Sequence, residues 1–366
     1  MAEAVPAPAP AVPCPDWSSL QADLLISIFA TLDIPDLLSS GAVCRSWNAH
    51  SSFARRLGPC SASANKQGPW LLYSSASSPS HNTATGATLL RLSTGRAHHL
   101  TSLPPPPIRS SYIIGASHGW LVAADENSEL HLLNPIRHAH IPLPPLLTLK
   151  PVRFLYKNKN RIEFVGHRWA PNYAPASTRY KLYNKAILSS DPSDPSCVVV
   201  LMHNPRWQLS FARFGDARWT WVNPYFYCVN YHDCIYDEGD GLFYVLGHSG
   251  DLSTFDFKGP DPIMKVLMEP FEINMHCTRY LAKSPWGDLL QVWRYHRVVG
   301  DDGESRTNRV KQEMVEIKDL RGHALFVGFN SSFFVSVNDF PTLSRNCVYL
   351  AHDKAKSDNL PDKSIL

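Results

Sequence analysis

The sequence predicts a mainly β protein headed by a short module of three helices. Three observations carry this. Apolar residues recur at helical spacing only near the start, in Leu24, Leu25, Ile28, Phe29 and Leu32. From Gly68 onward that periodicity gives way to short β-rich runs punctuated by Gly, Pro, Asn, Asp and Ser. These runs return at a step of roughly 40–50 residues, the length of one supersecondary repeat.

Composition narrows the function classes. Apolar residues make up 44% and charged ones 18% of 366 residues, a globular balance with length for a sizeable core. Lys and Arg number 35 against 32 acidic residues, so no concentrated basic face is expected and nucleic acid is not an expected partner. The cluster of Lys157, Lys159 and Arg161 is too short to change that. No apolar run approaches the roughly 18 residues of a membrane span. The eight cysteines include no C-x-x-C pair and read as reduced thiols of a cytoplasmic or nuclear chain. Residues 1–15, rich in Ala and Pro, read as a disordered tail without the basic and apolar regions of a signal peptide.

The helical module follows at 16–57. Ser18 and Ser19 precede the first apolar stripe as caps, and Asp23 complements the helix dipole. Asp33 caps a second helix with Pro35 in its first turn. Ser39, Ser40 and Gly41 mark the next break, and a third helix carries Val43, Cys44 and Trp47 with Arg45 and Asn48 on its polar side. Three short helices cannot bury all these large side chains among themselves. Some must face another surface.

The run from Leu20 through Asp23, Leu24, Leu25, Ile28, Phe29 and Leu32, then Asp36-Leu37, then V-C-R-x-W from Val43 to Trp47, resembles an F-box. The resemblance implies docking on a Skp-type adaptor, which joins the chain to a cullin–RING ligase. It implies adaptor-binding roles for Leu20, Leu24, Ile28, Phe29, Leu32, Leu37, Val43, Cys44 and Trp47. One position departs from the family: Leu20 is followed by Gln21, where proline is usual and would preset the first helical turn.

After a linker at 58–67, the β runs of 68–352 fall into triplets. They begin near Ser111, Gly119 and Glu129; near Asp233, Gly241 and Asp251; near Thr278, Asp288 and Glu313; and near His323, Ser332 and Asn346. Further strands begin near Leu71 and Trp207. Units of this length with three or four strands are propeller blades. Six have an anchor strand, and the run from Arg161 to Val165 hints at a seventh, so the expected fold is a β-propeller of six or seven blades. Residues 353–366 read as a flexible tail. The stretch from Ser117 to Asp125, the L-L-N-P run ending at Pro135, the box from Gly215 to Trp221 and the close from Phe340 to Leu350 are similar to a plant family of F-box proteins. That resemblance implies a kelch-like propeller that binds a target protein.

Catalytic and metal patterns are sparse. Gly115 to Gly119 fits G-x-S-x-G around Ser117, but a nucleophile elbow needs a strand feeding a helix, and here two β runs flank it. His118 beside it reads as a turn residue. Cys228, His232 and Cys234 share parity and would project from one strand face, short of a fourth zinc ligand; His138 and His140 offer less. Trp120, Trp219, Trp221, Trp286 and Trp293 read as wedges between blades, and Asn134 and Asp251 as turn formers. The expected chain is therefore a non-catalytic substrate receptor without metal or cofactor. It would bind an unidentified protein through loops at 74–86, 168–177, 189–196 or 299–309, with no membrane partner. The rivals are a propeller enzyme using Ser117 or the Cys228 cluster, and a propeller scaffold that no longer recruits the ligase.

Overall fold

A computed structural model of the chain describes residues 16–57, 70–73, 86–100, 103–150, 152–154, 162–164, 175–205, 207–222, 230–271, 277–295, 317–351 and 363–365. Contacts divide the chain into two units, Met1–Gln67 and Gly68–Leu366.

Four helical segments occupy the first unit where three were expected. A 3-10 turn at Trp17–Ser19 precedes α1 (Ala22–Phe29), α2 (Ile34–Ser40) and α3 (Arg45–Leu57). The extra turn forms because Asp16 Oδ1 accepts from Ser18 N at 3.0 Å and Ser18 Oγ at 2.5 Å. The serines expected to cap α1 are thereby used, and α1 starts from Gln21, which makes no side-chain cap. Asp33 does cap α2, accepting from Asp36 N at 3.0 Å. Val43 and Cys44 precede α3 rather than lying in it. Cys44 stands at its start, its Sγ accepting from Trp47 N at 3.5 Å. Leu25, Phe29, Leu37 and Ala54 form the core, with Leu20, Leu32 and Trp47 packed against it.

The second unit is built of sheets in chain order, antiparallel except for the pairing of the last strand of the final one. The first joins β1 (Trp70–Tyr73), β2 (Ala87–Arg91) and β3 (Ala97–Leu100). The second is β4 (Tyr112–Ser117), β5 (Trp120–Ala124), β6 (Leu130–Asn134) and β7 (Ala139–Pro142). A hairpin of β8 (Val152–Phe154) and β9 (Ile162–Phe164) follows, then a helix, α4 (Pro175–Leu182). The next sheets are β10 (Tyr183–Leu188), β11 (Val198–His203), β12 (Gln208–Arg213) and β13 (Thr220–Trp221), and β14 (Tyr231–Asp237), β15 (Leu242–Gly247), β16 (Leu252–Asp256) and β17 (Ile263–Met268). β18 (Cys277–Lys283) pairs with β19 (Leu289–Tyr295). The last sheet places β20 (His323–Gly328) between β21 (Phe333–Ser336) and β22 (Val348–Ala351). Finally β23 (Lys363–Ile365) returns to pair with β1.

Among the described residues, five sheets have three strands or more, so five blades replace the six or seven expected. Among the described residues the anchor at Arg161 yields a β8–β9 hairpin, and residues 313–316, most of the run expected at Glu313 in the Thr278 triplet, lie outside them. Two further expectations change. The region read as almost wholly β holds α4, and residues 363–365, read as flexible tail, form a strand. The run at Asn346 pairs parallel to β20.

One strand of each sheet lies beside one strand of the next: β23 beside β4, β4 beside β10, β10 beside β14, β14 beside β18 and β18 beside β20. Three of them slip register at the same place. The pairings break between Ile113 and Gly115, between Tyr183 and Lys185, and between Tyr231 and Asp233. A bulge leaves one residue unpaired and re-aims the next. Gly115, Lys185 and Asp233 are thus equivalent positions of three repeats. At Gly115 the neighbour comes so close that a Cβ would stand 2.1 Å from the Ala186 carbonyl oxygen. Only glycine fits there. Between sheets the fill is apolar, with Trp120, Val122, Leu132, Leu188, Leu201 and Trp219 in one cluster and Phe211, Phe243, Phe255 and Phe257 in another.

Candidate functional site

The first candidate site is the outer face of the helical unit. On α1 the spacing of three and four residues puts Leu25 and Phe29 inward, leaving Leu24 and Ile28 on the other side. Leu24 is 52% exposed, Ile28 42% and Val43 61%. Trp17 and Phe53 are exposed too. The nine residues named from the sequence therefore divide. Leu20, Phe29, Leu32, Leu37 and Trp47 belong to the core cluster, Cys44 is half-buried at the start of α3, and Leu24, Ile28 and Val43 face outward. Phe29 and Trp47 meet edge to face at 5.6 Å, and Trp47 Nε1 donates to the Trp17 carbonyl at 2.9 Å. The buried members hold the helices, and the exposed ones form an apolar face with no cover among the described residues.

The second is a buried polar hub in the β unit. Lys185 Nζ donates to Asp233 Oδ1 at 2.5 Å and to the Gly328 carbonyl at 3.3 Å. Asp233 Oδ2 accepts from Leu281 N at 2.7 Å and Oδ1 from Cys234 N at 2.8 Å. The pair links four inner strands. Burial raises the Asp233 carboxyl against the opposing pull of Lys185. Sequence reasoning missed both residues, whose signal was a charged residue at the third place of a β-rich run.

The enzymatic motifs take structural places. Ser117 ends β4, and His118 and Gly119 form the turn to β5 with φ of 52° and 77°, both left-handed as a two-residue hairpin requires. No helix follows, so the elbow geometry is missing, and Ser117 Oγ lies 3.1 Å from Ser331 Oγ. Cys228 lies outside the described residues. The register slip at His232 breaks the assumed parity with Cys234, which is buried while His232 Nε2 meets His248 Nδ1 at 2.8 Å. No group of three metal-ligating side chains gathers among the described residues. His131 Nδ1 and His140 Nε2 are 2.9 Å apart as cross-strand neighbours.

Three of the five tryptophans join sheets, whereas Trp221 Nε1 and Trp293 Nε1 donate to Gln208 and Gln291 within their own sheets. Trp219 Nε1 reaches the Pro144 carbonyl at 2.8 Å, and Trp120 Nε1 reaches Asp191 Oδ2 at 3.3 Å. Trp286 packs edge to face on Phe334 at 5.5 Å. Asn134 caps its turn, accepting from Ile136 N and Arg137 N. Of the four candidate binding loops, 189–196 is described throughout and consists of tight turns built on Asp191 and Asp194.

A helical module followed by a β-propeller defines the class: an F-box protein with a propeller as its second domain. Residues 17–56 match the F-box-like family. The match to the KIB1-4 beta-propeller family spans 89–365, and the chain belongs to that family. Three relatives from Arabidopsis thaliana illustrate the range. The F-box protein KIB4 is 21% identical over 348 residues, covering 90% of this chain and 81% of KIB4. The F-box protein KIB2 is 24% identical over 256 residues, covering 68% of this chain and 51% of KIB2. Another F-box protein, At5g55150, is 25% identical over 331 residues, 87% of this chain and 79% of its own.

Proposed function

We propose that the chain is a substrate receptor of a Skp–cullin–F-box ubiquitin ligase, with no chemistry of its own. The observation that carries this is the outward apolar set of Leu24, Ile28 and Val43 standing over a core of Leu25, Phe29 and Leu37. A helical unit this small keeps large apolar groups exposed when a partner covers them. The Skp-type adaptor is that partner, and the nine named residues act in docking: the exposed ones by contact, the buried ones by fixing the helices. The propeller holds the target, and its kelch-like blades present end loops to it. Ubiquitination of the target then follows from proximity. The chain works in the cytoplasm, the nucleus or both. A pull-down of the purified full chain with a plant Skp-type adaptor tests the reading directly. Retention of the adaptor is expected. No retention leaves the chain a propeller scaffold.

A further inference from the structure

Arg279 on β18 is fully buried, yet of its guanidinium nitrogens only Nη1 is bonded, to the His248 carbonyl. Nε and Nη2 are buried with no hydrogen-bond partner among the described residues. Those two nitrogens carry the parallel N–H pair that meets the two oxygens of a carboxylate or phosphate. Burying that fork unmatched is costly, whereas most buried polar groups in folded proteins are satisfied.

The surroundings suit a ligand more than a simple pin. The guanidinium carbon lies 4.9 Å from the Trp293 ring centre, and Trp293 stacks on Phe271 at 5.8 Å. Beyond His248, His232 stacks on Trp207 at 5.5 Å. Burial, then His248 and Arg279, push the His232 imidazole down to about 4, so it is neutral near pH 7. The charge of Asp251 also reaches Arg279, but its carboxylate takes the N–H groups of Ser249 and of its own backbone. It is committed to its turn.

We propose that the Nε–Nη2 edge of Arg279 recognises an oxyanion that offers two acceptor oxygens, a carboxylate or a phosphate group. The edge is closed to solvent in the described conformation, so occupation displaces a neighbour. Trp207, stacked on His232, is partly exposed and holds a φ of 52°, unfavourable for a bulky residue. All these residues belong to the β unit, so the site stands whether or not the helical unit recruits a ligase.

The test uses the full chain, with sodium phosphate and sodium acetate titrated against sodium chloride at matched ionic strength, read by calorimetry and thermal melting. A saturable response to phosphate alone identifies a phosphoryl group as the ligand chemistry, and a response to acetate identifies a carboxylate. Arg279→Lys keeps the charge without the fork and should weaken binding by about tenfold or more. Arg279→Met should abolish it. Arg279→Lys and the chloride series decide the matter if the methionine variant does not fold. The proposal is overturned if neither anion exceeds chloride, or if Arg279→Lys binds as wild type does, which would mark an ion bound elsewhere.

Discussion

Lys185 and Asp233 form an ion pair of 2.5 Å with both side chains almost wholly buried, and each sits one residue past a register slip in its own strand. The slip is what turns these polar side chains inward at equivalent points of adjoining sheets. Having been buried, they need each other. Asp233→Ala strands the Lys185 ammonium and leaves the Leu281 N–H without its acceptor, and is expected to cost about 3–5 kcal/mol. Replacing both partners, as Lys185→Met with Asp233→Leu, should cost less than Asp233→Ala alone. Denaturant unfolding of the full chain measures each. Equal loss in the single and double variants would show that the pair is not coupled.

At Gly115 the same structural position is used differently. No side chain fits, because the Ala186 carbonyl occupies the space. Gly115→Ala must push β4 from β10 and should cost about 3 kcal/mol or prevent folding. Gly95 lies in open space at a φ of 67°. Gly95→Ala should therefore cost only about 1 kcal/mol. Comparable melting of the two variants would contradict the close approach.

His203 gives the β unit a pH dependence of definite sign. Nδ1 lies 3.0 Å from the Asn204 carbonyl, which only accepts, so Nδ1 carries the proton and Nε2 accepts from Ser210 Oγ at 2.8 Å. Burial pushes the group from 6.5 down to about 4. Between those values the unfolded chain takes up a proton that the folded chain refuses. Stability is unaffected by this group above pH 6.5, falls as pH drops through the window, and levels off below 4. The gap corresponds to roughly 3 kcal/mol. His203→Gln should lower stability at pH 7.5 and flatten the acid slope between pH 7 and 5 relative to wild type. Parallel slopes in urea unfolding would exclude the assignment.

The helical unit is legible in the sequence because its period reports burial directly: Leu25 and Phe29 fall inward at four-residue spacing, and Leu24 and Ile28 fall outward. Strand runs are legible for the same reason, but their partners are not. The anchor at Arg161 marks a strand, and nothing local says that β9 pairs with β8 alone among the described residues. The slips at Ile114, Asn184 and His232 are equally hidden, since one inserted residue reverses parity without changing composition. That is why the parity argument for His232 and Cys234 fails. Arg279 reads locally as the one charged residue in T-R-Y-L, and nothing in the run announces its burial.

The departure at Gln21 is open to a direct check. Gln21 holds a φ of −62°, inside proline's range, and Leu20 before it is extended at φ −58° and ψ 138°. A following proline requires that conformation of its predecessor. Gln21→Pro should therefore fit without strain and stabilise the helical unit by about 0.4–1 kcal/mol, through the unfolded chain. Adaptor affinity should rise modestly or stay level. A destabilised helical unit, read by circular dichroism and limited proteolysis, would contradict the backbone geometry.

The sharpest prediction separates contact from support on the helical unit. Phe29 is buried against Trp47, so Phe29→Ala opens a cavity and should cost about 3–5 kcal/mol. It should lose the adaptor only by loosening the helices. Ile28 and Val43 are exposed, so Ile28→Asp with Val43→Asp should leave helical content and melting unchanged. At a desolvated interface the same pair should weaken adaptor binding by about 100-fold, or roughly 2.7 kcal/mol. Anion binding by the β unit should survive both variants. Circular dichroism and co-purification with the Skp-type adaptor, run on the same preparations, distinguish the two effects. If the doubly charged variant stays folded and still binds the adaptor as tightly as wild type, Leu24, Ile28 and Val43 do not form the docking face.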